Sequence, residues 1–242
     1  MNNHLHRYAD PGLWLVPLWA VLLFLSTLTH QPSFQDDFPA YASYITTQQF
    51  LLSHIIASIL GAGFGTLGFV ALFMRLAGRG RPLLALWALG TWIIGNTLNT
   101  SVFGVAAFAQ PAIGRAFLAG QTAEAVAINS DIYGPPLFAT VLPGILLFTV
   151  GVTLFGVAVT RSGSLPRLAG IGLAISGPMF SIVGFILADV FQTVGSALML
   201  VSTVWIASAG QRGPSENQPP VGADSSVGIS AVPSDASPPL HR

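Results

Sequence analysis

The stretch "HIIASILGAGFGTLGFVALFM", His54 to Met74, decides the fold because it admits two opposite readings. Gly63, Gly65 and Gly68 stand at the G-x-G-x-x-G spacing, which in a strand-to-helix turn cradles a pyrophosphate. That reading fails on its surroundings. The flanks "HIIASIL" and "FVALFM" continue one apolar run, no strand precedes it, and no acid follows at the distance needed to hold a ribose. Read as a helix, the same letters set Ala57, Gly61 and Gly65 four residues apart, a ridge on which a neighbouring backbone packs closely. A helix rises about 1.5 Å per residue, so a run of this length crosses a hydrocarbon core of about 30 Å.

The rest of the chain agrees. It has 242 residues, 52% of them hydrophobic and only 7% charged, with a mean hydropathy of +0.68. That much apolar surface does not fit inside one water-facing globule, so the chain reads as an all-α integral membrane protein. Six apolar runs of spanning length fall at about 11–29, 49–74, 83–109, 135–159, 168–187 and 191–209. In the first, Asp10 and Pro11 offer a helix start and Trp14 lies near the interface. The run ends in "LTHQPSF" without a small-x-small cleavage site, so a retained helix is expected and not a removed signal peptide. Pro17, Pro143 and Pro178 fall inside spans and predict kinks.

The basic residues are all arginines, and they orient the spans. Arg7 precedes the first span, Arg75, Arg79 and Arg81 separate the second from the third, Arg161 and Arg167 separate the fourth from the fifth, and Arg212 and Arg242 follow the last. Arg115 alone falls on the other side. The positive-inside rule then predicts both termini in the cytoplasm, with residues 1–10 as a short inner N-terminus. From Gly210 onward Pro, Ser, Gly and Asp predominate, which predicts a disordered cytoplasmic tail over 210–242.

Two of the loops opposite the arginines carry helical patterns. In "QPSFQDDFPAYASYITTQQ" Phe34, Phe38, Tyr41 and Ile45 fall on one helical face, and Pro39 after Asp36 and Asp37 suggests a start that runs straight into the second span. The face suits an interfacial aromatic belt or a lid over an outward pocket. In "QPAIGRAFLAGQTAEAVAINSDIYGPP" Ile113, Ala116 and Phe117 share a face and Thr122 offers a cap, which predicts a segment lying on the membrane surface.

"TWIIGNTLNTSVFG", Thr91 to Gly104, raises the functional question, because Asn96 and Asn99 interrupt an otherwise lipid-soluble run. Counted from Leu83, they lie about 20 and 24 Å across the bilayer, in the outer half and three residues apart on one face. An amide in lipid leaves its donors and acceptors unpaired at a cost of a few kcal/mol, so both must face protein or water. His54 lies at a similar depth in the second span, and Asp189 and Gln192 occupy the turn between the last two. These five residues form a candidate polar cluster in the outer leaflet. It either bridges helices or lines a cavity for a small polar ligand or ion.

Several classes of function lose support. With no cysteine there is no thiolate nucleophile or iron–sulfur site, and no two of the five histidines, at 4, 6, 30, 54 and 241, are spaced i, i+4 as in a helical zinc motif. His54 and Asp189 are conceivable as an acid/base pair, but no nucleophile elbow or paired carboxylates accompany them. No catalytic, cofactor or metal residue is therefore assigned and no cofactor is expected. The zero net charge argues against nucleic acid.

The stretches "FPAYASYITTQQFLLSHIIASILG", "QPAIGRAFLAG", "YGPPLF" and "RSGSLPRLAGIGLAISG" resemble the uncharacterised bacterial six-helix membrane proteins grouped as DUF4386, as a pattern over about residues 35 to 190. The resemblance implies a polytopic protein of the bacterial cytoplasmic membrane and carries no activity, substrate or functional residue. Three readings stay open: a non-enzymatic protein whose cluster packs helices or binds a small unidentified ligand, a small transporter or channel subunit, and an assembly subunit. The expected partners beyond the lipid bilayer are a second copy or a membrane subunit.

Overall fold

The structure is a computed structural model that describes residues 9–78 and 82–211. Arg79 and Arg81, like Arg7 and the expected tail from Arg212 onward, lie outside the described residues. Among those residues the chain is helical and contains no strand.

Six helices are long and apolar enough to cross a membrane: α1 (Ala9–Ser26), α3 (Gln48–Ala77), α4 (Pro82–Phe108, followed closely by α5), α7 (Pro135–Thr160), α8 (Arg167–Ile186) and α9 (Asp189–Gln211). Three shorter helices, α2 (Phe38–Ile45), α5 (Gln110–Leu118) and α6 (Thr122–Ile132), fill the two long loops. The chain is a multi-pass membrane protein by this architecture. Each spanning helix packs against its neighbours in chain order, and α9 closes the ring onto α1. One end of the bundle carries Arg75, Arg161 and Arg167 and is called the arginine end; α2, α5 and α6 mark the loop end.

The predicted spans hold to within a few residues, and the departures have local causes. Asp10 does not cap α1: the helix already includes Ala9, and the Asp10 carboxylate accepts instead from the Arg75 guanidinium, which is 6% exposed. Arg75 therefore also ties α3 to α1. Gly210 and Gln211, expected in the tail, close α9. Asp189 and Gln192 lie in the first turn of α9 and not in the connecting turn. The loop helix α2 does not run into α3, because Thr46 and Thr47 intervene and the Thr47 hydroxyl caps a new start at Phe50 N–H. Its own start is capped by Asp37, which accepts from Ala40 N–H at 2.9 Å.

Two internal prolines act as their chemistry demands. Pro17 has no N–H to offer Leu13, whose carbonyl is taken by Val16 N–H at 3.2 Å in a tightened turn. The Ala174 carbonyl, deprived by Pro178, accepts from the Thr153 hydroxyl of α7 at 3.3 Å. A π-helical stretch, Met179–Val183, follows directly. A second one, Ser53–Leu60, opens where the Phe50 carbonyl is taken by the Ser53 hydroxyl at 2.8 Å and by His54 Nδ1 at 2.9 Å, which compete with the backbone ladder.

The core is aromatic and spans four helices. Trp19 of α1 meets Phe69, Trp92 and Phe148 edge-on at 5.5, 5.8 and 6.0 Å, and Phe69 lies 4.7 Å from Phe155. Helices α4 and α7 touch backbone to backbone: a Cβ on Gly95 would lie 2.2 Å from Phe148 N and one on Gly151 2.6 Å from Trp92 N. On the α3 ridge, a Cβ on Gly65 would meet the Trp19 ring at 3.0 Å and one on Gly61 the Leu22 side chain at 3.6 Å, so α1 packs along it. Gly63 has nothing within 4 Å, which leaves it no role in that contact.

The loop helices have a small core of their own. Tyr41, Ile45 and Phe50 are fully buried, and Phe38 meets Phe117 of α5 at 4.8 Å. The expected aromatic belt is thus largely turned inward. The Tyr41 hydroxyl donates to Asn129 Oδ1 of α6 at 3.2 Å. Thr122 is the first residue of α6 and supplies no cap.

Candidate functional site

Above the aromatic core, towards the loop end, the ring of helices is hollow. A chamber of about 220 Å³ is walled by α1, α3, α4, α7, α8 and α9. Trp19 and Phe148 face it from the aromatic core, Phe103 and Phe180 line its sides, and Ser58, Asn96, Asn99, Ser181 and Gln192 supply the polar groups. It adjoins a vestibule of about 200 Å³ that shares Leu23, Ser58, Phe103, Phe180 and Gln192 with it. The vestibule adds Ser26, Thr29, Gln31, Tyr44, Ser53 and His54, a far more polar lining that reaches the first loop and α2. The two π-helical stretches, carrying Ser58 and Ser181, border the chamber from α3 and α8. The wider π turn shifts side chains out of helical register, which places them where a regular helix would not.

The five residues of the sequence cluster separate into different roles. Asn96 is 8% exposed, and its Nδ2 donates to the Ala62 carbonyl at 3.2 Å and lies 3.4 Å from Thr66 Oγ1, both on α3. It is an interhelical tie. Asn99, on the same side of α4, has no side-chain hydrogen bond among the described residues and lies against α7, where a Cβ on Gly144 would come within 2.5 Å of Asn99 Oδ1. Gln192 borders chamber and vestibule, also without a side-chain hydrogen bond among the described residues. His54 lines the vestibule. Its Nδ1 faces a carbonyl, which can only accept, so the proton sits on Nδ1 and Nε2 keeps the lone pair.

Asp189 lines neither space. It pairs at 2.7 Å with His30 of the first loop, so the acid/base pairing with His54 considered from the sequence is not formed. His30 and Asp189 are both largely exposed, which makes the pair a weak latch across the loop end. Sequence periodicity did not single out Ser58 or Ser181, because serine is common in membrane helices and both lie in π-helical stretches that a regular repeat does not reveal. The buried hydroxyl pair Thr149–Ser181, at 2.5 Å, and the contact between Thr27 and Ser196, at 3.4 Å, add polar ties between α7 and α8 and between α1 and α9.

The chamber contains no ionised side chain, and no group of His, Asp and Glu among the described residues has the makings of a metal site. Chemically it offers amide and hydroxyl hydrogen bonds over an aromatic surface. No protein-family model, curated protein or solved structure matches the chain.

Proposed function

We propose that the protein is a non-enzymatic membrane protein that binds a small, neutral, mostly apolar molecule with one hydrogen-bonding head in the hollow half of its bundle. The observation that carries this reading is the contrast between two amides one helical turn apart. Both line the chamber of about 220 Å³, but Asn96 spends its amide on helix packing, whereas Asn99 and Gln192 have no side-chain hydrogen bond among the described residues. An apolar cavity of roughly 150 Å³ already admits benzene, and aromatic walls with a few polar groups are the usual make-up of ligand sites. The absence of charge in the wall favours a neutral ligand, since a buried ion without a partner is costly. The arginine bias supports a bacterial-type cytoplasmic membrane with the arginine end inside, so the ligand would enter from outside.

A small transporter is the second reading. The π turns bordering the chamber favour it, being places where a helix changes register at low cost. It requires the Trp19–Phe69–Trp92–Phe155 plug to open towards the arginine end.

The test is thermal unfolding of the detergent-solubilised protein with a graded series of neutral alcohols, ketones and amides. Members that fit should raise the Tm of the wild type, and Asn99→Leu should abolish the shift while leaving the unliganded Tm intact. A series without effect, or an equal shift in Asn99→Leu, contradicts the reading.

A further inference from the structure

A third cavity lies on the outside of the bundle, away from the chamber and the vestibule. Helices α7 and α8 cross closely at glycines: a Cβ on Gly156 would lie 2.4 Å from Ala174 N, and one on Gly170 2.6 Å from Thr160 N. Beside this crossing runs a furrow of about 500 Å³, with Val157 and Arg161 on the α7 side and Arg167, Ile171, Ala174 and Ile175 on the α8 side. The two arginines stand at the arginine end of the furrow, and the aliphatic side chains line it towards the bilayer interior. Arg161 and Arg167 are exposed, neither has a carboxylate partner among the described residues, and no acid occurs between residues 132 and 188.

We propose that this furrow binds an anionic phospholipid, its phosphate held between Arg161 and Arg167 and one acyl chain laid along Ile171, Ala174 and Ile175. Three properties meet there. Guanidinium groups match phosphate oxygens with paired N–H donors, the wall below is aliphatic, and the furrow lies at the edge of two membrane-spanning helices, where a lipid headgroup sits. A zwitterionic lipid presents the same phosphate with its charge cancelled by a neighbouring cation, so the unneutralised arginines favour a net negative headgroup. The inference does not depend on the ligand reading of the central chamber.

The test uses the full-length protein in mild detergent, with bound lipid counted by native mass spectrometry during titration with phosphatidylglycerol, phosphatidylcholine or inorganic phosphate. Phosphatidylglycerol should bind about tenfold or more tightly than phosphatidylcholine, and Arg161→Gln with Arg167→Gln should weaken it about 30-fold, about fivefold per surface cation. Ile171→Trp fills the furrow while keeping both arginines, and should weaken binding about tenfold, the loss of roughly two buried methylenes. It keeps the question open to refutation should the double variant not fold. Equal binding of the two lipids, unchanged affinity in the variants, or displacement of phosphatidylglycerol by millimolar inorganic phosphate would overturn the proposal.

Discussion

At the level of Trp19 and Phe148 the bundle changes character. Towards the arginine end, Phe69, Trp92 and Phe155 interlock, Leu72, Val152 and Leu173 are fully or almost fully buried, and Arg75 with Asp10 ties α3 to α1. Towards the loop end the same helices surround a chamber and a vestibule, where Asn99 and Gln192 make no side-chain hydrogen bond among the described residues. The difference lies in how each half is held. Glycines bring backbones together in both halves, at Gly151 against Trp92 and at Gly195 against Phe180, but only in the first do aromatic rings fill the centre. In the second, π turns in α3 and α8 displace the walls, while the α2–α5–α6 core holds the loops and lends Tyr44 to the vestibule. A membrane bundle gains little from merely excluding lipid, so unfilled space lined by two amides that make no side-chain hydrogen bond among the described residues points to use.

If the arginine half is the structural half, Phe155→Ala should destabilise the protein by about 3–5 kcal/mol, the range for truncating a buried aromatic. Phe103→Ala, on the chamber wall, should cost well under half of that. Thermal unfolding in detergent makes the comparison, and equal losses would erase it. The next largest effect is expected from Gly151→Ala. Its Cβ would enter the backbone of Trp92, so α4 and α7 must separate at a cost of about 1–3 kcal/mol, while the same change at Gly63, with open space around it, should be nearly neutral.

The loop-end core can be probed by pH. Burial pushes the Tyr41 phenol far up, with the neighbouring Tyr133 phenol adding to the shift, and burial raises Tyr133 as well. A raised folded-state pKa means that the unfolded chain releases its phenolic protons first. Stability is therefore fully present below the unfolded value of about 10 and falls as pH climbs past it. Tyr41→Phe should flatten this alkaline decline, and it should cost about 1–3 kcal/mol at neutral pH because Asn129 Oδ1 loses its donor. Unfolding curves between pH 8 and 11 would sink the idea if the two proteins declined in parallel.

The smallest effect separates the two amides. Asn96→Ala should lower stability by about 0.6 kcal/mol, a typical interhelical hydrogen bond in a membrane, and Asn99→Ala should leave it unchanged or higher. The opposite order would assign glue and chamber the other way round.

Much of the architecture was legible because hydrophobic run length is a strong signal. The six apolar helices and the close approach of α1 at Gly61 and Gly65 follow from run length and spacing, whereas Ala57, grouped with those glycines by its spacing, falls in the π-helical stretch and lines the chamber. The fate of the asparagines was not legible. Residues three apart share a helical face, but that face is wide enough for Asn96 to reach Ala62 on α3 while Asn99 lies against Gly144 on α7. His54 and Asp189 looked like partners because both are polar near the same leaflet. Pairing depends on which helices adjoin, and the loop between α1 and α2 carries His30 to Asp189 instead. The π turns have no sequence period of their own, so the chamber they border could not be read from a regular 3.6-residue repeat.

The most direct test of the hollow half uses the fact that the chain has no cysteine. Single cysteines at Asn96, Asn99, Gln192 and Phe155 would be treated in sealed vesicles with a membrane-impermeant thiol reagent applied from the loop-end side. The account predicts labelling at 192, slower labelling at 99, slower still at 96, which is 8% exposed at the chamber wall, and none at the fully buried 155. Protection of both 99 and 192 would mean that the chamber is closed to water and that the polar side chains of the loop-end half are structural after all.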